Sequence, residues 1–211
     1  MAPGSLRAIA EDLRTLAWLH ASEHRPDTWL ALHAAGFPRG LVAVPARCAE
    51  AQAMAQALTR LRVDVEANPQ RAADELDVDY ADIYLTHALR ASPCESVWCD
   101  DDHLVMQGPT FAVREFYRQH GAMVADRRRM SDDHLSHQLE FLGRLLDGGQ
   151  QAVAAQFLHQ HLMVWLPRFA ARVAERAATP VYAALAALTL RAGLTLQAQL
   201  ADSAASAAAA D

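Results

Sequence analysis

Apolar residues in this chain recur with the period of an α-helix in segment after segment, and no stretch shows a convincing strand alternation. The clearest case runs from Arg47 to Val65, where Ala51, Met54, Leu58, Leu61 and Val65 share one face. Strands need a period of two, so this pattern confines the chain to helices packed on helices. Composition points the same way: Ala and Leu dominate, while Gly and Pro number only 9 each. At 211 residues and 52% apolar, the chain can bury the core of one domain. A charged fraction of 21% argues against disorder.

The same periodicity lays out the elements. Ser5 is expected to cap a first helix through about Ser22, with Leu6, Ile9, Leu13, Leu16 and Leu19 inward. Pro26-Asp27 opens a short helix with Trp29, and Gly36 to Pro45 reads as turns. Asn68-Pro69 separates the Arg47–Val65 helix from one reaching about Leu89. That helix carries Tyr80, Ile83 and Tyr84 on one side and Asp74, Glu75, Asp77, Asp79 and Asp82 on the other. Residues 90 to 108 read as a long irregular loop. Pro109 starts a helix holding Phe111, Val113, Phe116 and Tyr117, with Phe111 expected in the core. Arg127-Arg128-Arg129 reads as a solvated loop. Ser131 is the expected N-cap of the next helix, with Asp132 and Asp133 in its first turn and Leu135, Leu139, Leu142 and Leu146 inward. After Gly148-Gly149 a helix runs from about Gln150 to Ala177, kinked at Pro167. The last runs from Pro180 to about Gln199. The expected fold is all-α, a single helical bundle over 1–200, with 201–211 an Ala-rich flexible tail.

Charge and motif content exclude several functions. The net charge is −6, which opposes nucleic acid as a main partner. All 19 basic residues are Arg; without Lys no P-loop lysine exists, and no Gly-rich phosphate loop is present. Nor is there a Gly-x-Ser-x-Gly elbow. Three Cys, an odd number, read as free thiols rather than a disulfide framework. Glu11, Asp12 and Arg14 interrupt the N-terminal apolar stretch, so it does not read as a secretory signal. The best apolar run, Val181 to Leu190, is short for a bilayer span. A cytoplasmic protein without stable membrane insertion is expected.

Two segments flank the helix that begins at Pro109. Pro93-Cys94-Glu95-Ser96-Val97-Trp98 precedes it, and Asp133-His134-Leu135 running to Leu139-Glu140-Phe141 follows it. Around them lie Tyr80 to Leu85, then His161, Trp165 and Phe169, then Pro180-Val181-Tyr182 with Leu185. In this order they resemble the signature of the TorD/DmsD/NarJ family of molybdoenzyme maturation chaperones, closest to the TorD/DmsD branch. Ser131 stands where the family has Pro before Asp-His, Ile83-Tyr84 replaces Leu-Phe, and Cys94 replaces a loop aromatic. The resemblance spans about Asp74 to Thr195, and residues 1–70 add nothing to it.

The resemblance implies a non-enzymatic, system-specific chaperone with no catalytic residues, no metal and no cofactor of its own. Its partner would be the precursor of a molybdenum-cofactor oxidoreductase with a twin-arginine leader. The chaperone would bind leader and apoenzyme, aid cofactor insertion and delay export. The site residues expected on this reading are Tyr80, Tyr84 and Trp98 for an apolar groove, Glu95, Asp100, Asp133 and His134 for the cationic start of the leader, and Pro93 and Ser96 of the motif loop as further client-binding positions. Acidic groups at Asp74 to Asp82, Asp100 to Asp102 and Asp132-Asp133 would complement that charge. Read without the family, Asp133 only caps a helix, His134 only packs, and the acidic groups are solvated faces.

Two alternatives stay open at this point. One is a metal-dependent helical enzyme built on Asp100-Asp101-Asp102-His103 or on Asp132-Asp133-His134 with His137, although neighbouring helical positions diverge. The other is a generic helical scaffold protein. Monomer and homodimer are both compatible with the sequence, and the client is not named by it.

Overall fold

A computed structural model describes residues 3–86, 91–125 and 129–208. The expectations for Leu89, Arg127 and Arg128, and for the tail from 209 onward, lie outside the described residues. The fold is all-α. Among the described residues there is no strand, only an isolated antiparallel bridge between Cys94 and His134.

Two packed groups of helices organise the bundle. Helix α1 (Pro3–Ala21) lies along α7 (Leu135–Asp147). Ile9, Leu13 and Leu16 of α1 and Leu135, Leu139 and Leu142 of α7 are fully buried. A Cβ on Gly143 would sit 3.1 Å from the Ala10 carbonyl oxygen, so this glycine lets the two backbones approach closely. Arg14 spans the pair, reaching Asp147 and lying 3.5 Å from Glu140. The first helix thus begins at Pro3, with Ser5 inside its first turn.

The second framework is α10 (Pro180–Ala208) against α3 (Ala49–Ala67) and α9 (Met163–Arg176). Helix α10 continues well past Gln199, so the segment expected as a flexible tail from 201 is helical to Ala208. By length and composition Pro180–Ser206 could cross a bilayer, which the Val181–Leu190 run alone did not indicate. Yet 56% of its apolar window is buried inside the bundle, as in the core helix of a soluble protein. Its start is held by Asp79, from α4 (Pro69–Tyr80). The Asp79 carboxylate accepts bonds from the Ala178 and Thr179 N–H groups at 2.9 and 2.7 Å and from Thr179 Oγ1 at 2.6 Å. Asp79 is therefore buried and structural, not part of an acidic face. Asp74 and Glu75 bond to Gln70 and Arg71 on their own helix.

Two π-turns interrupt regular helix. The first, Ala81–Leu85, follows α4; Tyr80 and Tyr84 stack with ring centroids 4.7 Å apart. The second, Leu158–Leu162, lies between α8 (Gln151–Phe157) and α9. The expected continuous helix is thus divided upstream of Pro167, whose missing N–H leaves the Met163 carbonyl without its helical donor. Gly149, at φ +68°, ends α7 with the Gln150 N–H bonded to the Leu145 carbonyl.

Three local expectations are corrected. The 90–108 loop contains a short helix, α5 (Glu95–Cys99). Helix α7 begins at Leu135 with His134 as N-cap, not at Ser131. Residues 131–134 are instead drawn into pairing with 93–95: the Leu135 N–H donates to the Pro93 carbonyl at 2.8 Å and the Glu95 N–H to the Asp133 carbonyl at 3.2 Å. Helical backbone could not present those groups sideways. Finally, Phe111 of α6 (Gly108–Gln119) is 50% exposed, with the Arg114 guanidinium 5.1 Å over its ring.

Candidate functional site

The two motif segments meet in a buried polar junction. The Asp133 side chain is fully buried. One carboxylate oxygen accepts the Ser96 N–H at 2.8 Å and the other accepts the Ser131 hydroxyl. It thereby caps α5 from across the chain. Glu95, 4% exposed, binds the Gln138 amide at 2.8 Å through one oxygen and lies 3.0 Å from His161 Nδ1 through the other. Gln138 also donates to the Asp133 carbonyl at 3.2 Å and accepts from the Trp165 indole at 3.4 Å. One amide side chain therefore ties α5, α7 and α9 together. His134 uses Nδ1 to cap its own helix at Ser136 N, 3.2 Å away. Tyr84 packs 6.4 Å from the His134 ring, and its hydroxyl lies 2.5 Å from His20.

Burial dominates the electrostatics here. It pushes the Glu95 carboxyl above its ordinary range, against the opposing pull of His161 and Gln138. The Tyr117 phenol is raised by burial, and secondarily by Glu95, Asp133 and Asp132. The His137 imidazole is pushed down by burial. Arg114 neutralises part of this acidity, placing Nη2 2.8 Å from the buried Asp132. Such a network is rigid because each loss leaves a polar group without water.

Beside the junction the same chain segment opens to solvent. Val97, Trp98, Leu104 and Val105 line a cavity of about 620 Å³, with Ser92 and His103 at its edge and Arg168 and Arg172 of α9 on the far wall. Trp98 is half-buried, its indole N–H bonded to the Ser92 carbonyl at 2.8 Å. Leu104, Val105 and Met106 are 56%, 40% and 43% exposed in succession, an apolar run that monomers seldom leave uncovered. His103 and Met106 adopt φ of 54° and 62°. Left-handed backbone at non-glycine residues costs energy and clusters at binding sites. Asp100, Asp101 and Asp102 sit on this loop between Trp98 and His103, with Asp101 and Asp102 exposed.

The comparisons with known proteins fall on this region. The family model described as nitrate reductase delta subunit matches residues 46–171. A chaperone protein TorD of Vibrio cholerae (strain N16961) is 35% identical over 153 residues, 67% of each chain. Another from strain O395 is 33% identical over 166 residues, 73% of each. The Tat proofreading chaperone DmsD of Salmonella typhi is 31% identical over 114 residues, 54% of this chain and 56% of that one.

The chain belongs to the TorD/DmsD/NarJ family. Its relatives place it in the TorD/DmsD branch, and since they are named chaperones, it is read as a chaperone and not as an enzyme. The family match reaches back to residue 46, taking in α3, where the sequence alone carried no resemblance.

Within this TorD/DmsD member the family-implied residues divide. Pro93, Glu95, Ser96, Asp133 and His134 come together, but all are buried, and Glu95, Asp133 and His134 are already hydrogen-bonded. Tyr80 and Tyr84 belong to the core, 7% and 9% exposed. In this structure none of these seven presents an open surface. Trp98 and Asp100 alone keep substantial exposure. Of the α7 motif segment, Glu140 is exposed beside Arg14, while Gln138 takes the inward position. His161 was named from sequence only as a motif member, without a site role, and Gln138 and Arg168 were given none; only their helical register behind the motif could have marked them. Among the described residues no group of three or more His, Cys, Asp or Glu is arranged to hold a metal. The Asp/His clusters that suggested a metal enzyme therefore do not assemble.

Proposed function

We propose that this chain is a cytoplasmic maturation chaperone that receives the twin-arginine leader and apo form of a molybdopterin oxidoreductase. The apolar segment of the leader lies in the Trp98 groove, and its cationic start meets the acidic lip at Asp100 to Asp102. The buried set of Tyr80, Tyr84, Pro93, Glu95, Ser96, Asp133 and His134 holds the groove in shape rather than touching the peptide. Holding the precursor in this way would keep the apoenzyme open for cofactor insertion and delay its export. One observation carries the reading: an exposed aromatic and aliphatic cavity of about 620 Å³ beside three successive carboxylates, in a chain whose relatives are TorD and DmsD chaperones. Apolar floor and acidic rim complement the two parts of such a leader.

The test has two parts. The protein, purified from its own host, is examined for what accompanies it. A molybdoenzyme precursor with its leader intact supports the reading, and a different partner supports a scaffold role. A synthetic peptide of that leader is then titrated into the protein and into Trp98→Ala. A loss of affinity of tenfold or more is expected, about the weight of an aromatic anchor. Unchanged affinity would remove the groove from the mechanism.

A further inference from the structure

The α9 wall of the groove carries charge of the opposite sign to the lip. The Arg168 guanidinium lies 5.9 Å over the Trp98 ring and 3.7 Å from the Cys99 sulfur. It is exposed and forms no ion pair with a carboxylate among the described residues. Arg172, half-buried and also lining the cavity, has only a loose contact with Glu175, at 3.7 Å. Exposed pairs of that kind hold an arginine weakly. Neither guanidinium serves a purely apolar or cationic ligand, and two cations on one wall would repel the latter.

Their setting suits an anion better. The contacts of Arg168 with the Trp98 ring and the Cys99 sulfur bias its guanidinium toward the groove before a ligand arrives. A carboxylate lying against that ring would receive charge-assisted hydrogen bonds in surroundings that Val97, Leu104 and Val105 keep partly dry. We propose that Arg168 and Arg172 make the groove select an apolar peptide segment that also bears an acidic side chain. This inference rests on reading the groove as the leader site. It adds a discrimination which that reading does not contain. The bound segment then carries three features in register: positive charge at the Asp100–Asp102 lip, apolar bulk on Trp98, and a carboxylate at the α9 wall.

The experiment uses the full chain and two synthetic peptides by calorimetry. Both begin with two arginines and continue into a Leu/Ala stretch, followed by Glu in one and Gln in the other. The Glu peptide is expected to bind about tenfold tighter, as one added charged hydrogen bond predicts. That ratio should fall towards one in Arg168→Gln/Arg172→Gln, and in the unaltered chain at high salt. Equal affinities in the unaltered chain, or a ratio that survives in the double variant, overturn acid selection and leave the leader reading standing. If neither peptide binds, both proposals fall together.

Discussion

The Glu95 end and the Trp98–Val105 end of one loop lie side by side, yet they are built in opposite ways. At Glu95 the polar groups are buried and bonded across three helices. Around Trp98 an apolar surface with charges at its edges is left open. The first arrangement resists change, because each hydrogen bond lost leaves a desolvated partner. The second tolerates change, because exposed groups recover water. The difference teaches that one family motif can hold two kinds of residue: its most polar members here are buried and bonded, while its half-buried tryptophan lines the open cavity.

The sharpest way to break that contrast is at Asp133. Asp133→Ala with His134→Ala should cost about 3 kcal/mol, read from the denaturant midpoint, because it orphans the Ser96 N–H and removes the α7 cap. Intact stability with lost peptide binding would instead make the pair a contact surface.

Acidification probes the buried side next. His20 is fully buried against Tyr84 and Thr189, and burial lowers its pKa to about 3 from an ordinary 6.5. The unfolded chain binds that proton first, so stability is present above pH 6.5 and is lost as pH falls towards 3. Between pH 6.5 and 5 the loss should reach at most about 2 kcal/mol. Glu95 acts in the opposite sense, since its raised carboxyl takes up a proton more readily when folded. Thermal melts across this range should flatten in His20→Gln and steepen on the acid side in Glu95→Gln. A profile left unchanged by His20→Gln would contradict the burial of His20.

Smaller effects sharpen the groove side. Trp98→Phe keeps the ring but loses the bond to the Ser92 carbonyl, and should cost about 1 kcal/mol in thermal stability. Asp101→Asn, on an exposed residue, should leave stability within about 0.5 kcal/mol. Stopped-flow binding of a cationic peptide should then slow, with a weaker salt dependence than in the unaltered chain. A larger stability loss at Asp101 would join the lip to the frame and dissolve the distinction.

Much of the fold was legible from local signals. The stripes at Ala51–Leu61 and Leu135–Leu146 and the stop at Gly148-Gly149 are consequences of helical period and backbone freedom. So were the helix class and, through the order of its motifs, the family. The roles within the site were less legible. Asp133 sits between a serine and a helix and reads as that helix's first turn. Nothing nearby in sequence says that Ser96, on another element, will claim its carboxylate. Asp79 likewise reads as one of a solvated acidic row until Thr179 is folded onto it.

The sequence by itself determined which faces are apolar, which long segments are helical, and which chaperone family the chain joins. These follow from neighbours within a turn or two, or from motif order. Tertiary structure alone decided which polar residues are buried and which remain available. Burial and hydrogen-bond satisfaction depend on partners far apart in the chain, 37 residues for Ser96 with Asp133 and 66 for Glu95 with His161. A polar residue's cost or value is set by those partners and by the water they exclude.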